Sequence, residues 1–140
     1  MSTPGYIDEH SHLAVSGAIN AMTVDVEDYF QVSAFEPYVG KDSWSDYPDR
    51  VVANTQRVLA LFDENSVCAT FFVLGWVAER HPDLVRSIVA GGHEVASHGM
   101  QHTRVTQQER AEFRSDIDRS KKLLEDVSGQ AVRGYRAASY

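Results

Sequence analysis

The chain has almost no cysteine, no excess of positive charge and no long apolar run. Its 140 residues include a single cysteine, Cys68, so an internal disulfide is excluded and a reducing compartment is expected. The 20 acidic residues outnumber the 13 basic ones, and a net charge of −7 argues against a nucleic-acid or anionic-membrane partner. No apolar run reaches the roughly 18 residues that a membrane span needs, and the N-terminus lacks the pattern of a secretory signal. We therefore expect a cytoplasmic protein without a membrane span.

What the chain does contain is an alternation of short β-prone segments with amphipathic ones. The patterns predict strands at 21–26, 68–75 and 93–97, the start of a fourth strand at 131–135, and helices at 49–65 and 82–90. A longer helix is predicted to open at a capping box, Thr106 to Glu109, and to end at Gly129. Strands that alternate with helices imply an α/β fold with a mostly parallel sheet.

Two further segments complete the predicted organisation. Residues 1–20 are expected to form a poorly ordered leader, and residues 21–140 one domain. A long aromatic loop is predicted at 27–48; its aromatic side chains either contribute to a functional site or cover the sheet edge. Because the chain stops just after a strand begins, we expect this domain to be truncated at its C-terminus.

Polar residues that can take part in chemistry follow three of the predicted strands. They are Asp25, Glu27 and Asp28 after the first strand, His98 and His102 after the third, and Arg136 after the fourth. Ligands of open α/β sheets collect at the carboxyl ends of the strands. The sequence therefore predicts that these side chains lie close together.

The two histidines, in the sequence SHGMQH, are spaced four residues apart. Two imidazoles at this spacing can bind one ion at about 2.0–2.1 Å each. A carboxylate from the first strand end would complete a set of two histidines and one acid, with positions left open for water and substrate. The zincin motif HExxH is excluded, since three residues rather than two separate Glu94 from His98. The alternative is a pair of ordinary loop histidines beside a solvated acidic turn.

The acidic residues after the first strand divide between two roles. A water activated by a metal needs a base within hydrogen-bonding reach, and Asp25 is the better placed candidate. Either Glu27 or Asp28 is the candidate metal ligand, and the sequence does not decide between them. Arg136 is either the residue that holds the carboxylate of the base through a bidentate pair, or a surface arginine at a strand end.

Three separated segments together resemble the polysaccharide deacetylases of the NodB-homology type, carbohydrate esterase family 4. The segments are TVDVED, ATFFVLGWVAERHPDLVRSIVAGGHEVASHGMQH and GYRAASY, and the resemblance covers residues 21–140. The sequence DVEDYFQVSAFEPY most resembles the branch associated with exopolysaccharide loci of the exosortase and PEP-CTERM type. The resemblance implies that the chain forms the N-terminal portion of a distorted (β/α) barrel. It also implies a divalent metal, with Zn²⁺ as the favoured ion and Co²⁺ or Ni²⁺ as alternatives. It also implies hydrolysis of N-acetyl groups on the amino sugars of an oligo- or polysaccharide.

The first motif of the family carries over only in part. Asp25 matches the aspartate that acts as the base, but Val26 stands where the family has its second, metal-binding aspartate. The resemblance therefore passes that ligand role to Glu27 or Asp28. Arg136 matches the arginine of the third motif.

The second and third motifs also differ from the usual pattern. His98 and His102 match the two metal-binding histidines, with Gly99 where the family has serine or threonine. Ala138 stands where proline is expected. The two later motifs, which include the histidine that acts as general acid, would follow Tyr140, so we expect weak or no activity from these 140 residues alone. Alternatives are a non-catalytic sugar- or metal-binding module and a hydrolase of other C–N bonds, as in allantoinase-like relatives.

Overall fold

A computed structural model describes residues 20–139. Within this range a parallel sheet contains β1 (Met22–Val26), β2 (Ala69–Val73) and β3 (Glu94–Ser97) in that order. The α-helices are α1 (Val51–Glu64), α2 (Gly75–Arg80), α3 (Pro82–Ala90) and α4 (Arg110–Ser128). The prediction of an α/β fold with a parallel sheet is confirmed. All of the predicted leader except Asn20 lies outside the described residues.

The core lies between one face of the sheet and the helices. Val26, Phe71 and Val95 are buried on this face, and Ile88 of α3 and Leu124 of α4 pack into the same cluster. Each such side chain contributes about 1.5–3 kcal/mol when it is fully buried. Because side chains alternate along a strand, the residues between them point to the opposite face of the sheet. That opposite face carries the polar chemistry described below.

The fourth predicted strand is reduced to a single bridge. Ser97 pairs with Tyr135 in parallel, the Ser97 N–H donates to the Gly134 carbonyl, and the Arg136 N–H donates to the Ser97 carbonyl, each at 2.9 Å. The segment that follows α4 therefore contacts the sheet over about one residue pair. This contact is enough to bring Arg136 to the edge of β3.

One helix prediction is corrected by the structure, and one helix was not predicted. Thr106 does not cap α4; it lies in a separate 3-10 turn, Val105–Gln107, and Glu109 is the N-cap residue. The Glu109 N–H donates to the Glu112 side chain at 2.9 Å, which is the reciprocal bond of a capping box shifted by three residues. The helix α2 was not predicted. The predicted end of α4 is confirmed at Gly129, which has φ of +70°.

The aromatic loop between β1 and α1 is partly folded into the core. It contains 3-10 helices at Tyr29–Gln31 and Lys41–Asp46. Phe30 and Trp44 are buried and lie 5.9 and 5.6 Å from the ring of Trp76 on α2, while Tyr38 is exposed. The loop is thus anchored at two points and stands beside the carboxyl ends of the strands.

Within residues 20–139 no helix is both long enough and apolar enough to cross a membrane.

Candidate metal centre

Four of the six predicted site residues line one small cavity at the carboxyl ends of β1 and β3. They are Asp25, Glu27, His98 and His102, and the cavity has a volume of about 190 Å³. Arg136 adjoins it through contacts with two of them. The expectation that strand-end residues converge is met for five of the six.

Glu27, His98 and His102 form the tightest group of potential metal ligands. Their ligand atoms all lie within 4.8 Å of one another, and both imidazoles are buried. The Oε2 atom of Glu27 lies 2.9 Å from Nε2 of His102 and 3.8 Å from Nε2 of His98. One carboxylate oxygen and two imidazole nitrogens therefore lie close enough together to bind a single ion.

The buried Oε2 atom of Glu27 has no hydrogen-bond partner among the described residues. Its close approach to His102 lacks hydrogen-bond geometry. A buried carboxylate oxygen without a donor or a cation is costly. A divalent ion between the three ligand atoms would satisfy it, and the three residues therefore fit the metal that the family resemblance implies.

The tautomer of His98 suits a metal ligand. Nδ1 lies 2.9 Å from the carbonyl oxygen of Arg136. Since a carbonyl only accepts, Nδ1 carries the proton and Nε2 presents its lone pair toward Glu27. Burial lowers the pKa of His98, against the opposing effect of the Glu27 and Asp25 carboxylates, and so favours the neutral imidazole that binds metals.

The loop that carries the two histidines is fixed by the start of α2. The carbonyls of Gly99 and Met100 accept the N–H groups of Gly75 and Trp76 at 2.8 and 2.9 Å. His102 has φ of +49°, a left-handed conformation, so the segment is not the single helical turn that the spacing suggested. A loop held by backbone hydrogen bonds brings the two rings to a centroid distance of 5.2 Å instead.

Asp116 of α4 contacts the same loop through its carboxylate. Its Oδ2 accepts the Met100 N–H at 3.0 Å, and it would lie 2.7 Å from a Cβ atom placed on Gly99, whose φ is +79°. The carboxylate therefore occupies the space that a side chain at position 99 would need. Sequence reasoning missed Asp116, because nothing in the helical pattern distinguishes it from the other acidic residues of α4.

Asp28, the other predicted alternative for the acidic ligand, lies outside the group of potential ligands formed by Glu27, His98 and His102. Its buried carboxylate accepts the Tyr29 N–H at 2.9 Å through Oδ1, and those of Arg50 and Val51 at 2.6 and 3.0 Å through Oδ2. Asp28 thus caps the first 3-10 helix and holds the start of α1. Both oxygens are engaged by backbone donors, and of the two predicted alternatives only Glu27 lies in the group of potential metal ligands.

Asp25, the predicted base, is held by Arg136. The Nη1 atom of Arg136 donates to Oδ1 of Asp25 at 2.6 Å, and Nη2 donates to Oγ1 of Thr23 at 2.8 Å. The predicted bidentate pair is therefore not formed. The guanidinium instead contacts two residues, Asp25 and Thr23, on the same face of β1. It also lies 4.0 Å from the ring centroid of Phe72, which restricts its movement further.

Comparison with known proteins places these features in one family of sequences. The profile described as polysaccharide deacetylase matches residues 42–139. A chitooligosaccharide deacetylase of Bradyrhizobium is 35% identical over 86 residues, which are 61% of this chain and 39% of that protein. A peptidoglycan-N-acetylglucosamine deacetylase of Bacillus cereus is 30% identical over 94 residues, which are 67% of this chain and 34% of that protein.

The fold comparison agrees with the sequence comparison. A solved structure from Mycobacterium smegmatis, assigned to the polysaccharide deacetylases, superposes with a TM-score of 0.70 at 33% identity. The superposition covers 84% of this chain and 42% of the other. The chain spans about two fifths of the length of the first curated relatives that it matches.

Proposed function

The chain belongs to the polysaccharide deacetylase family, and from this premise we propose that it serves metal-dependent removal of N-acetyl groups from the amino sugars of an oligo- or polysaccharide. One observation carries the proposal. The half-buried Glu27 and the buried His98 and His102 line the same cavity as Asp25. A ligand set for an ion and a carboxylate base therefore face one small volume.

The donor set suits a divalent ion of the zinc type. Two imidazoles and one carboxylate are ligands of catalytic Zn²⁺ sites, and they leave coordination positions open; Co²⁺ and Ni²⁺ accept similar donors. An ion held by Glu27, His98 and His102 would lower the pKa of a water and polarise the acetamide carbonyl of the substrate.

The proton of the attacking water would go to Asp25. Arg136, which also donates to Oγ1 of Thr23, holds one oxygen of this carboxylate where it lines the cavity. Preorganisation of a base in this way shortens the search for a reactive geometry. His98 contributes a neutral, oriented nitrogen, because the Arg136 carbonyl holds its other nitrogen in the protonated form.

The substrate class rests on what the relatives are called. The Bradyrhizobium relative is a chitooligosaccharide deacetylase and the Bacillus cereus relative a peptidoglycan-N-acetylglucosamine deacetylase. From these two relatives we infer that the substrate of this chain is also an N-acetylated amino sugar. A role in exopolysaccharide biosynthesis is proposed on the resemblance of the segment DVEDYFQVSAFEPY alone.

The proposal is tested by acetate release from oligomers of N-acetylglucosamine, measured on the longest form of the protein that can be expressed. Asp25→Asn keeps the size of the side chain and removes the base, and we expect a loss of at least about 100-fold. Asp63→Asn, at an exposed position on α1, is the matched control and should behave like the parent.

Three outcomes would overturn the proposal. Acetate release that survives in Asp25→Asn would remove the base from the mechanism. A metal-loaded protein that binds the oligomers without releasing acetate would be a non-catalytic binding module, and turnover of cyclic ureides in place of N-acetyl sugars would assign a different C–N bond.

A further inference from the structure

The ring of His102 is held less directly than that of the other proposed histidine ligand. The ring of His98 is fixed through its Nδ1 atom, which lies 2.9 Å from the carbonyl oxygen of Arg136. The structure gives the ring of His102 no equivalent hydrogen bond within residues 20–139, since its contact with Oε2 of Glu27 lacks hydrogen-bond geometry. The direction of this ring therefore depends on the backbone that carries it.

The backbone of His102 adopts an unfavourable conformation. Its φ of +49° lies in the left-handed region, which is uncommon for any residue other than glycine. A side chain in this conformation costs free energy, and the conformation persists only where the surrounding structure holds it. Contacts that fix the chain next to His102 therefore help to direct its imidazole.

Thr103, the next residue, is held on two sides. Nζ of Lys41 donates to its Oγ1 atom, and Nε2 of Gln108 donates to its carbonyl oxygen at 2.8 Å. The contact with Lys41 joins residues 62 positions apart in the chain, whereas the contact with Gln108 is local. Together the two donors fix both the side chain and the backbone of the residue that follows the left-handed histidine.

Lys41 belongs to a part of the aromatic loop that is itself anchored. It opens the 3-10 helix Lys41–Asp46, and Trp44 of this helix is buried with its ring 5.6 Å from that of Trp76 on α2. The same loop begins with Glu27, the proposed acidic ligand. The bond between Lys41 and Thr103 therefore ties the loop that carries the acidic ligand to the loop that carries the two histidines.

We propose that Lys41 is a positioning residue for the metal centre. Through the hydroxyl group of Thr103, its amine holds His102 in the left-handed conformation that brings the imidazole to Glu27. The inference rests on the proposed function, since it concerns the same ligands. It adds a residue outside the ligand set, and it means that metal affinity depends on a hydrogen bond between two residues that are not ligands.

The first test measures the Kd for Co²⁺ and Zn²⁺ by competition with a chromophoric chelator. Thr103→Val keeps the shape of the side chain and removes the hydroxyl group, Thr103→Ser keeps the hydroxyl group, and Thr106→Val is the control at an exposed position. We expect Kd to rise about tenfold in Thr103→Val, as for the loss of a group that supports a metal ligand. Thr103→Ser and Thr106→Val should bind like the parent. An unchanged Kd in Thr103→Val would overturn the inference.

A variant of Lys41 separates its hydrogen bond from its charge. Removal of a positive charge near a bound cation would by itself tighten metal binding, so a purely electrostatic role predicts a lower Kd for Lys41→Met. The positioning role predicts a Kd that is about tenfold higher. Because the two residues act through one bond, the double variant of Lys41→Met and Thr103→Val should bind like either single variant. A Kd in Lys41→Met that is equal to or below that of the parent, or losses that multiply in the double variant, would contradict the positioning role.

A second measurement needs no metal. In NMR spectra of the metal-free protein, the imidazole signals of His102 are expected to shift in Lys41→Met, while those of the buried His93 stay in place. Unmoved His102 signals would overturn the inference, whether or not the protein binds an ion. Acetate release together with unmoved signals would remove only the role of Lys41. Shifted signals and weakened metal binding without any acetate release would remove only the proposed hydrolysis.

Discussion

Replacement of Glu27 by glutamine should separate metal binding from folding. In the parent protein, free metal at about 1,000 times Kd adds about 4 kcal/mol to the free energy of unfolding. Structural zinc sites with four protein ligands bind with about 10–16 kcal/mol, so the loss of one ligand is worth roughly 3 kcal/mol, or about 100-fold in Kd. At the same free metal concentration the variant then gains only about 1.4 kcal/mol.

The metal-free proteins should show no such difference. Oε2 of Glu27 is buried and accepts no hydrogen bond from the described residues, so glutamine removes a poorly solvated charge without breaking a hydrogen bond at that atom. We expect the Tm of the metal-free variant to equal or exceed that of the parent. A residue that served only to hold the fold together would instead lower it.

Differential scanning calorimetry in the presence of a chelator measures the Tm of the metal-free proteins, and a titration with Zn²⁺ then measures the increase in Tm that the metal causes. For a chain of this size 1 kcal/mol corresponds to about 3–5 °C, so the metal should raise Tm by about 12–20 °C in the parent and by about 4–7 °C in the variant. Glu79→Gln, at an exposed position on α2, is the control and should follow the parent. A full metal-dependent shift in Glu27→Gln would refute the assignment of Glu27 as a ligand.

Two further predictions concern the histidine loop. Gly99→Ala should destabilise the protein more than Gly92→Ala. Both glycines have φ near +80°, a conformation that costs alanine about 1–2 kcal/mol. Only at position 99 would the added Cβ also collide with the Asp116 carboxylate. Equal losses in urea denaturation would show that the Asp116 carboxylate moves aside at no cost. Metal-free stability should fall from about pH 7.5 to about pH 5, because burial lowers the pKa of His98 and the unfolded imidazole, with its ordinary value of 6.5, takes up the proton first. A urea midpoint that falls as steeply in His98→Asn as in the parent would assign the pH dependence to other groups.

Local spacing was sufficient to predict that the two histidines and Asp25 lie close together. His98 and His102 follow a short strand, and Asp25 lies near the end of another, so parallel pairing of the strands was enough to bring all three together. The sequence pattern around β1 could not show whether Glu27 or Asp28 lies beside the two histidines. It depends on where the chain turns after β1, and Asp28 turns toward amide groups 22 and 23 residues further along the chain.

The helices show the same limit. Residues 71–78 run from β2 into α2 and are almost all buried, so their apolar pattern has no helical period that marks the change from strand to helix. At the start of α4, Thr106 to Glu109 and Glu109 to Glu112 both fit a capping box. The threonine pattern is the stronger by residue type, and tertiary packing selects the other.

Arg136 acts on the site through two parts of one residue that substitution affects differently. Its guanidinium holds Asp25, whereas its carbonyl fixes the proton on His98. Every amino acid has that carbonyl, so replacing the arginine removes the restraint on the base and leaves the orientation of the histidine in place. A chain without this arginine would keep the orientation of His98 that suits metal binding and would lose the restraint on Asp25, so the proposed hydrolysis depends on the side chain more than the proposed metal binding does.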